Sequence, residues 1–116
     1  MTIAAVSNSD ARPYVLKCQE FNGANNEKSK NGYAISGRKV GHLYAVLSYG
    51  YWPMFVCDPR TDTWFVNAHK YSPTTSKHAS QCNPHGKDCA PLPTHELNEM
   101  LEMARVGARR EQPIAL

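Results

Sequence analysis

The strongest constraint on the fold is a pair of short apolar runs separated by a polar turn. The runs span residues 54–57 and 63–66, and both are rich in the aromatic and β-branched residues that favour strands. Residues 58–62, with the sequence Asp-Pro-Arg-Thr-Asp, lie between them and are typical of the longer loops that join hairpin strands. The pattern therefore predicts a β-hairpin over residues 54–66.

Other segments predict further strands and one helix. Residues 12–18 and 33–36 have the composition of strands, and residues 42–49 are apolar on both alternating faces, as in a central strand. A helix is predicted to begin at Thr94, whose hydroxyl can cap it, and to end near Gly107. The apolar stripe of this helix consists of Leu97, Met100, Leu101 and Ala104.

These elements define the expected fold class. We expect a single α+β domain over residues 1–116, in which a small, mostly antiparallel β-sheet of four to five strands packs with a C-terminal α-helix. Residues 1–11 and 108–116 are expected to be flexible ends. Met103 and Val106 lie off the apolar stripe of the helix, so they either face a second wall of the core or are exposed for a partner.

Composition and charge exclude several classes of protein. The chain carries 13 Lys and Arg against 10 Asp and Glu without a polybasic block, so charge alone does not indicate nucleic-acid binding. No apolar stretch approaches the roughly 18 residues of a membrane span. The first ten residues lack the pattern of a secretory signal. We therefore expect a cytoplasmic protein without membrane contact.

A polar run after the hairpin is the leading candidate for a working surface. Residues 70–81 hold five hydroxyl amino acids besides Tyr71, two lysines, a histidine and a glutamine. Polar loops carried by rigid strands are common sites of binding. Aromatic residues just before the hairpin exceed what a small core needs, and Tyr51 lies at a predicted corner. The predicted binding residues are Tyr49, Tyr51, Trp52, Lys70, Tyr71, Thr74, Ser76, Lys77, His78 and Gln81.

A second group of residues has the composition of a metal site. Its members follow one another as His-x3-Cys-x2-His-x3-Cys, and such ligands suit tetrahedral zinc. The spacing differs from the standard finger patterns, so an irregular loop with free thiols is the alternative interpretation. We expect no cofactor, with zinc as the alternative. The candidate ligands are His78, Cys82, His85 and Cys89.

Catalysis is less well supported by the sequence. Serines at positions 72, 76 and 80 lie near His78, but a serine nucleophile also needs an orienting group and an oxyanion hole. The chain has no Gly-x-Ser-x-Gly elbow and no phosphate-binding glycine loop. We therefore expect a protein that is not an enzyme, and keep a small hydrolase or transferase using His78 as an alternative.

About a third of the chain, residues 44–82, resembles a group of small uncharacterised proteins encoded by bacteriophages and mobile elements. The resemblance lies in the strings Tyr49-Gly50-x-x-Pro53-Met54-x-Val56, Trp64-x-x-Asn67 and Lys70-Tyr71-Ser72-x-Thr74-Thr75-Ser76-Lys77-His78-x-Ser80-Gln81. The pattern of the group includes the position of His78 but does not require cysteines at positions 82 and 89.

No activity is established for that group, so the resemblance implies an origin more than a mechanism. Small phage proteins without catalytic motifs mostly act by binding. The resemblance implies a non-enzymatic accessory protein in the cytoplasm of a bacterial host. We expect it to bind a host or defence complex, for example as an inhibitor of a CRISPR effector. The alternative is direct binding of nucleic acid, with or without stabilisation by zinc.

Overall fold

The computed structural model describes residues 4–7, 10–24, 35–48, 51–69, 83–84 and 86–111. Within these residues seven strands form one sheet, with a short helix before the second strand and a long helix after the last. In chain order the elements are β1 (Ala4–Ser7), α1 (Arg12–Leu16), β2 (Phe21–Ala24), β3 (Ile35–Val40), β4 (Leu43–Ser48), β5 (Trp52–Asp58), β6 (Thr63–Asn67), β7 (Cys89–Leu92) and α2 (Thr94–Glu111).

Strands that follow one another in the chain are also neighbours in the sheet. The five strands from β2 to β6 form an antiparallel meander. The two edge pairs, β1 with β2 and β6 with β7, are parallel. The expected sheet of four to five mostly antiparallel strands is therefore wrong, because the described residues form a mixed sheet of seven strands.

Both unpredicted edge strands have weak strand signals. β1 lies in the expected flexible leader and contains two alanines, which are poor strand formers. β7 contains Pro91, and a proline normally argues against a strand because it lacks the N–H donor of the ladder. A strand at the edge of a sheet needs ladder bonds on one side only, so this position tolerates the proline.

The predicted strand over residues 12–18 is also wrong, since Arg12–Leu16 is helical. Pro13 occupies the first turn of α1, where its missing N–H costs nothing. Ala11 and Val15 are fully buried and lie one helical turn apart. The apolar residues therefore follow a helical period, although their β-branched and aromatic content favours a strand.

The central predictions are confirmed. β5 and β6 form the predicted hairpin, in which Cys57 pairs with Trp64 and Asp58 pairs with Thr63. α2 begins at Thr94 as expected, but it continues through Gly107 to Glu111. Among the described residues no helix is long and apolar enough to cross a membrane.

The sheet separates two apolar clusters. β4 contributes to both, because its side chains alternate between the faces and all residues from Leu43 to Val46 are buried. The first cluster includes the α1 side chain Val15 and the strand residues Phe21, Tyr44, Val46, Met54 and Trp64. The second cluster is covered by α2 and includes Leu43, Ala45, Val56, Leu97, Leu101 and Ala104.

Candidate functional site

Part of the predicted working surface lies outside the described residues. This holds for Tyr49 and for the whole segment of residues 70–81, which contains the predicted binding residues Lys70, Tyr71, Thr74, Ser76, Lys77, His78 and Gln81. The candidate zinc ligands Cys82 and His85 also lie outside them. The structure therefore describes only Tyr51, Trp52 and Cys89 of the predicted site residues, together with the flanks of the segment.

Tyr51 and Trp52 lie where the chain enters β5. Tyr51 is 58% exposed, and its backbone N–H donates to the Ser48 carbonyl oxygen at 3.3 Å, which ties the start of β5 to the end of β4. Trp52 is half-buried and packs against the first apolar cluster. Tyr51 thus presents an aromatic ring to the solvent, whereas much of Trp52 serves the core.

A network of hydrogen bonds fixes the chain just before Lys70. The Asn67 amide donates to the Pro53 carbonyl oxygen at 2.8 Å, and its oxygen accepts the His69 backbone N–H at 2.8 Å. The Thr94 hydroxyl lies 3.0 Å from Asn67 Nδ2 and 3.1 Å from Asn67 Oδ1. His69 Nδ1 lies 3.2 Å from that hydroxyl and accepts the Thr94 backbone N–H at 3.4 Å. The network joins β5, β6 and the first turn of α2.

A hydroxyl, an imidazole and an amide in contact also have the composition of a catalytic triad. Here, however, the Thr94 hydroxyl lies against both polar atoms of the Asn67 amide. The His69 ring accepts an N–H from the first turn of α2, which is one of the four donors that a helix leaves without an internal partner. These hydrogen bonds hold the helix end in place, and we interpret the network as structural.

The chain is also anchored just after the segment. Arg12 Nε in α1 donates to the Asn83 carbonyl oxygen at 2.8 Å. Pro84 is fully buried, and its carbonyl oxygen accepts the Lys87 N–H at 3.1 Å. Both flanks of residues 70–81 are therefore held by contacts to helices and strands of the sheet.

Tyr51 and Trp52 lie at the same end of the sheet as His69, the last described residue before the polar segment. β5 begins at Trp52 and the antiparallel β6 ends at Asn67, so the antiparallel register brings these two ends together. The bond from Asn67 to Pro53 joins them directly. The sequence indicated Thr94 only as the start of a helix and Asn67 only as a motif position, and it did not indicate His69. Their contacts depend on this pairing of distant segments.

The candidate zinc site has one described member, Cys89, which is half-buried. Its Sγ lies 3.8 Å from the Lys87 carbonyl oxygen, and burial raises the pKa of its thiol. Within residues 4–7, 10–24, 35–48, 51–69, 83–84 and 86–111, no three His, Cys, Asp or Glu side chains are grouped so as to hold a metal. The three other candidate ligands lie outside these ranges.

Two further thiols meet inside the first apolar cluster. Cys18 Sγ lies 3.8 Å from Cys57 Sγ, and both cysteines are free thiols. Burial is the main cause that raises the pKa of both thiols, and the proximity of Cys18 raises that of Cys57 further. At neutral pH both groups are therefore protonated and serve as core residues.

Ion pairs neutralise several of the described cations. The residues whose side chains are described include seven Lys and Arg against eight Asp and Glu, so this part of the surface has no positive excess. Three of the cations contact a carboxylate. The pairs are Arg60 with Asp58 at 3.2 Å, Lys87 with Asp62 at 2.8 Å and Arg105 with Glu102 at 2.6 Å.

Two grooves follow the sides of α2 where it lies on the sheet. The first has a volume of about 430 Å³, and the second, which includes Tyr51, has about 340 Å³. The first groove is lined by His42, Leu43, Asp58, Thr61, Thr63, Phe65, Met100, Met103 and Ala104. The second is lined by Val40, Ala45, Leu47, Tyr51, Asn98, Leu101, Glu102 and Arg105.

Comparison with known proteins identifies no relative of this chain. No protein-family model matches the sequence, and neither the curated proteins nor the solved structures give a match.

Proposed function

We propose that this chain is a non-enzymatic binding protein that docks onto a macromolecular complex of a bacterial host. The working surface comprises Tyr49, Tyr51, Trp52 and the segment of residues 70–81. The observation that carries the proposal is the position of Tyr51, which is 58% exposed at the end of the sheet where the chain passes from His69 into the segment.

The anchoring of both flanks supports this assignment. The hydrogen bonds of Asn67 and His69 before the segment, and that of Asn83 after it, fix the described residues on either side of the segment. A surface that is held at both ends loses less conformational freedom on binding than a free tail does. An exposed tyrosine beside it supplies the kind of large side chain that often dominates protein interfaces.

The class of partner follows from the resemblance of residues 44–82 to small phage proteins. We propose that the chain acts in the host cytoplasm on a host or defence complex, and a CRISPR effector is the example that we would test first. Direct binding of nucleic acid has less support, because the described side chains carry no excess of positive charge. An enzyme using His78 has less support still, since the sequence has no Gly-x-Ser-x-Gly elbow and no phosphate-binding glycine loop.

The test is capture of partners from host lysate by the tagged full chain, with and without nuclease. We expect a stoichiometric protein partner that is retained after nuclease treatment. The combined replacement of Lys70, Tyr71, Lys77 and His78 by alanine should reduce capture at least about tenfold, because it removes the polar and aromatic contacts at the centre of the proposed surface.

The matched control lies at the opposite end of the sheet. Lys39→Ala with His42→Ala also removes a lysine and a histidine, but next to the turn between β3 and β4. This variant should capture the partner as the unmodified chain does. Full capture by the fourfold alanine variant would refute the proposed surface. Loss of all partners on nuclease treatment would indicate a nucleic-acid-binding protein instead.

A further inference from the structure

The exposed side of α2 presents an apolar stripe that the core covers only in part, since Met100 at its edge packs against the second apolar cluster. Met103 lies at the middle of this 18-residue helix and is 74% exposed. Met100 and Val106 lie three residues before and after it, within one turn on the same side, and both are only half-buried. A side chain on Gly107 would meet no atom of the described residues within 4 Å, so within this part of the chain there is open space one turn beyond Met103.

The stripe adjoins the first groove of α2. Met100 and Met103 form one wall of this groove of about 430 Å³, and Phe65 and Leu43 from the sheet belong to its lining. Met103 also borders a second hollow of about 310 Å³ with Val106 and Gly107. The Met103 side chain therefore projects between two depressions. Helices pack by placing such projecting side chains of one helix into the grooves of the other.

Charge along α2 is divided about Met103. Residues 94–102 contain three glutamates and no lysine or arginine, whereas residues 103–111 contain three arginines and one glutamate. Glu96 and Glu99 are exposed and lie at helical spacing from Met103. If a second α2 runs in the opposite direction, its basic half lies along this acidic half, and the same match is repeated at the other end.

We propose that this face binds a second copy of the chain, with the two α2 helices antiparallel and crossing at Met103. Such a dimer has a two-fold axis, so each contact occurs twice and the surface must be complementary to itself. A helix whose sequence is acidic before Met103 and basic after it meets that condition. A parallel pair would place the acidic halves together and the basic halves together, which is unfavourable.

The first test is sedimentation of the full chain from micromolar to millimolar concentration. We expect a monomer–dimer equilibrium, and Met103→Glu should raise the dissociation constant at least about tenfold, since it places two carboxylates at the two-fold axis. Asn98→Glu introduces the same charge on an exposed residue off the stripe and should leave the equilibrium unchanged. A chain that stays monomeric throughout, or a Met103→Glu variant that still dimerises normally, would overturn the proposal.

The second test distinguishes the antiparallel arrangement. Two double variants each reverse the charge of one half of α2, and each should weaken self-association because like charges then meet at both ends of the helix pair. They are Glu96→Lys with Glu99→Lys, and Arg109→Glu with Arg110→Glu. An equimolar mixture of the two variants should regain a dimer of about the original affinity. Since the mixture contains the same two variants, a folding defect cannot explain the recovery. Failure of the mixture to associate would rule out the antiparallel pairing.

Discussion

At the scale of single residues, Asp62 combines a positive φ with two hydrogen bonds to its carboxylate. It adopts a positive φ of 52° at the end of the β5–β6 turn. One carboxylate oxygen accepts from Lys87 Nζ and the other accepts the N–H of the buried Trp64 indole, each at 2.8 Å. The hydrogen bonds from Lys87 and then Trp64 hold the pKa of Asp62 below its ordinary value of 3.8.

This depressed pKa predicts a pH-dependent contribution to stability. The carboxylate of the folded chain binds protons less readily than that of the unfolded chain. Its contribution is therefore fully present above 3.8, the ordinary pKa, and is lost as the pH falls through the lower pKa of the folded state. We expect Asp62→Asn to lower the melting temperature at neutral pH, and the difference from the unmodified chain to vanish in strong acid.

Asparagine is the appropriate replacement at this position, because it tolerates a positive φ and keeps an oxygen for the Trp64 N–H. The measurement is thermal unfolding of both proteins from neutral to strongly acidic pH. Lys87→Met removes the same ion pair from the other side and should give a similar loss at neutral pH. A melting difference that does not change with pH would contradict the assignment of the effect to the carboxylate charge.

At the scale of elements, Asn67 couples the end of β6 to β5 and α2. Asn67→Ala leaves the Pro53 carbonyl and the His69 N–H without their partner and removes the contact to the Thr94 hydroxyl. We expect it to lower the free energy of unfolding by about 1–3 kcal/mol, as measured in urea. Asn98→Ala, on the exposed side of α2, should stay within about 0.5 kcal/mol. Equal effects of both variants would contradict the role of the network.

The elements also show how far the sequence predicts this fold. The hairpin, the central strand β4 and the start of α2 have strong local patterns, and each was predicted. The strands β1 and β7 depend on pairing with distant parts of the chain, and their alanines and Pro91 argue locally against a strand. α1 is only five residues long, so a single pair of buried residues, Ala11 and Val15, shows its helical period in the sequence. One pair is too little to predict a helix.

The candidate site is predictable to a similar degree. Local composition suggested that Tyr51 is exposed at a corner, and the structure agrees with this expectation. The contacts of Asn67 and His69 with Thr94 span 27 and 25 positions and arise only when β6 and α2 meet. The same holds for the stripe on α2, since a sequence period alone leaves open whether Met103 faces the core or the solvent.

At the scale of the whole molecule, α2 connects two surfaces with different proposed roles. Its first residue, Thr94, belongs to the network beside the polar segment, whereas Met103 lies nine residues later, about 14 Å along the helix. The groove that Tyr51 lines shares no residue with the groove of about 430 Å³ that Met103 lines, and it shares only Glu102 with the hollow of about 310 Å³ beside Met103. Binding of a host complex and binding of a second copy should therefore be separable.

This separation can be tested by exchanging the variants between the two assays. We expect Met103→Glu to capture the host partner as well as the unmodified chain does, because Met103 lies well away from the proposed docking surface. The fourfold alanine variant of residues 70, 71, 77 and 78 should dimerise normally in sedimentation, although it fails in capture. If Met103→Glu loses capture in proportion to its loss of dimer, the partner recognises two copies at once, and the surfaces are not independent.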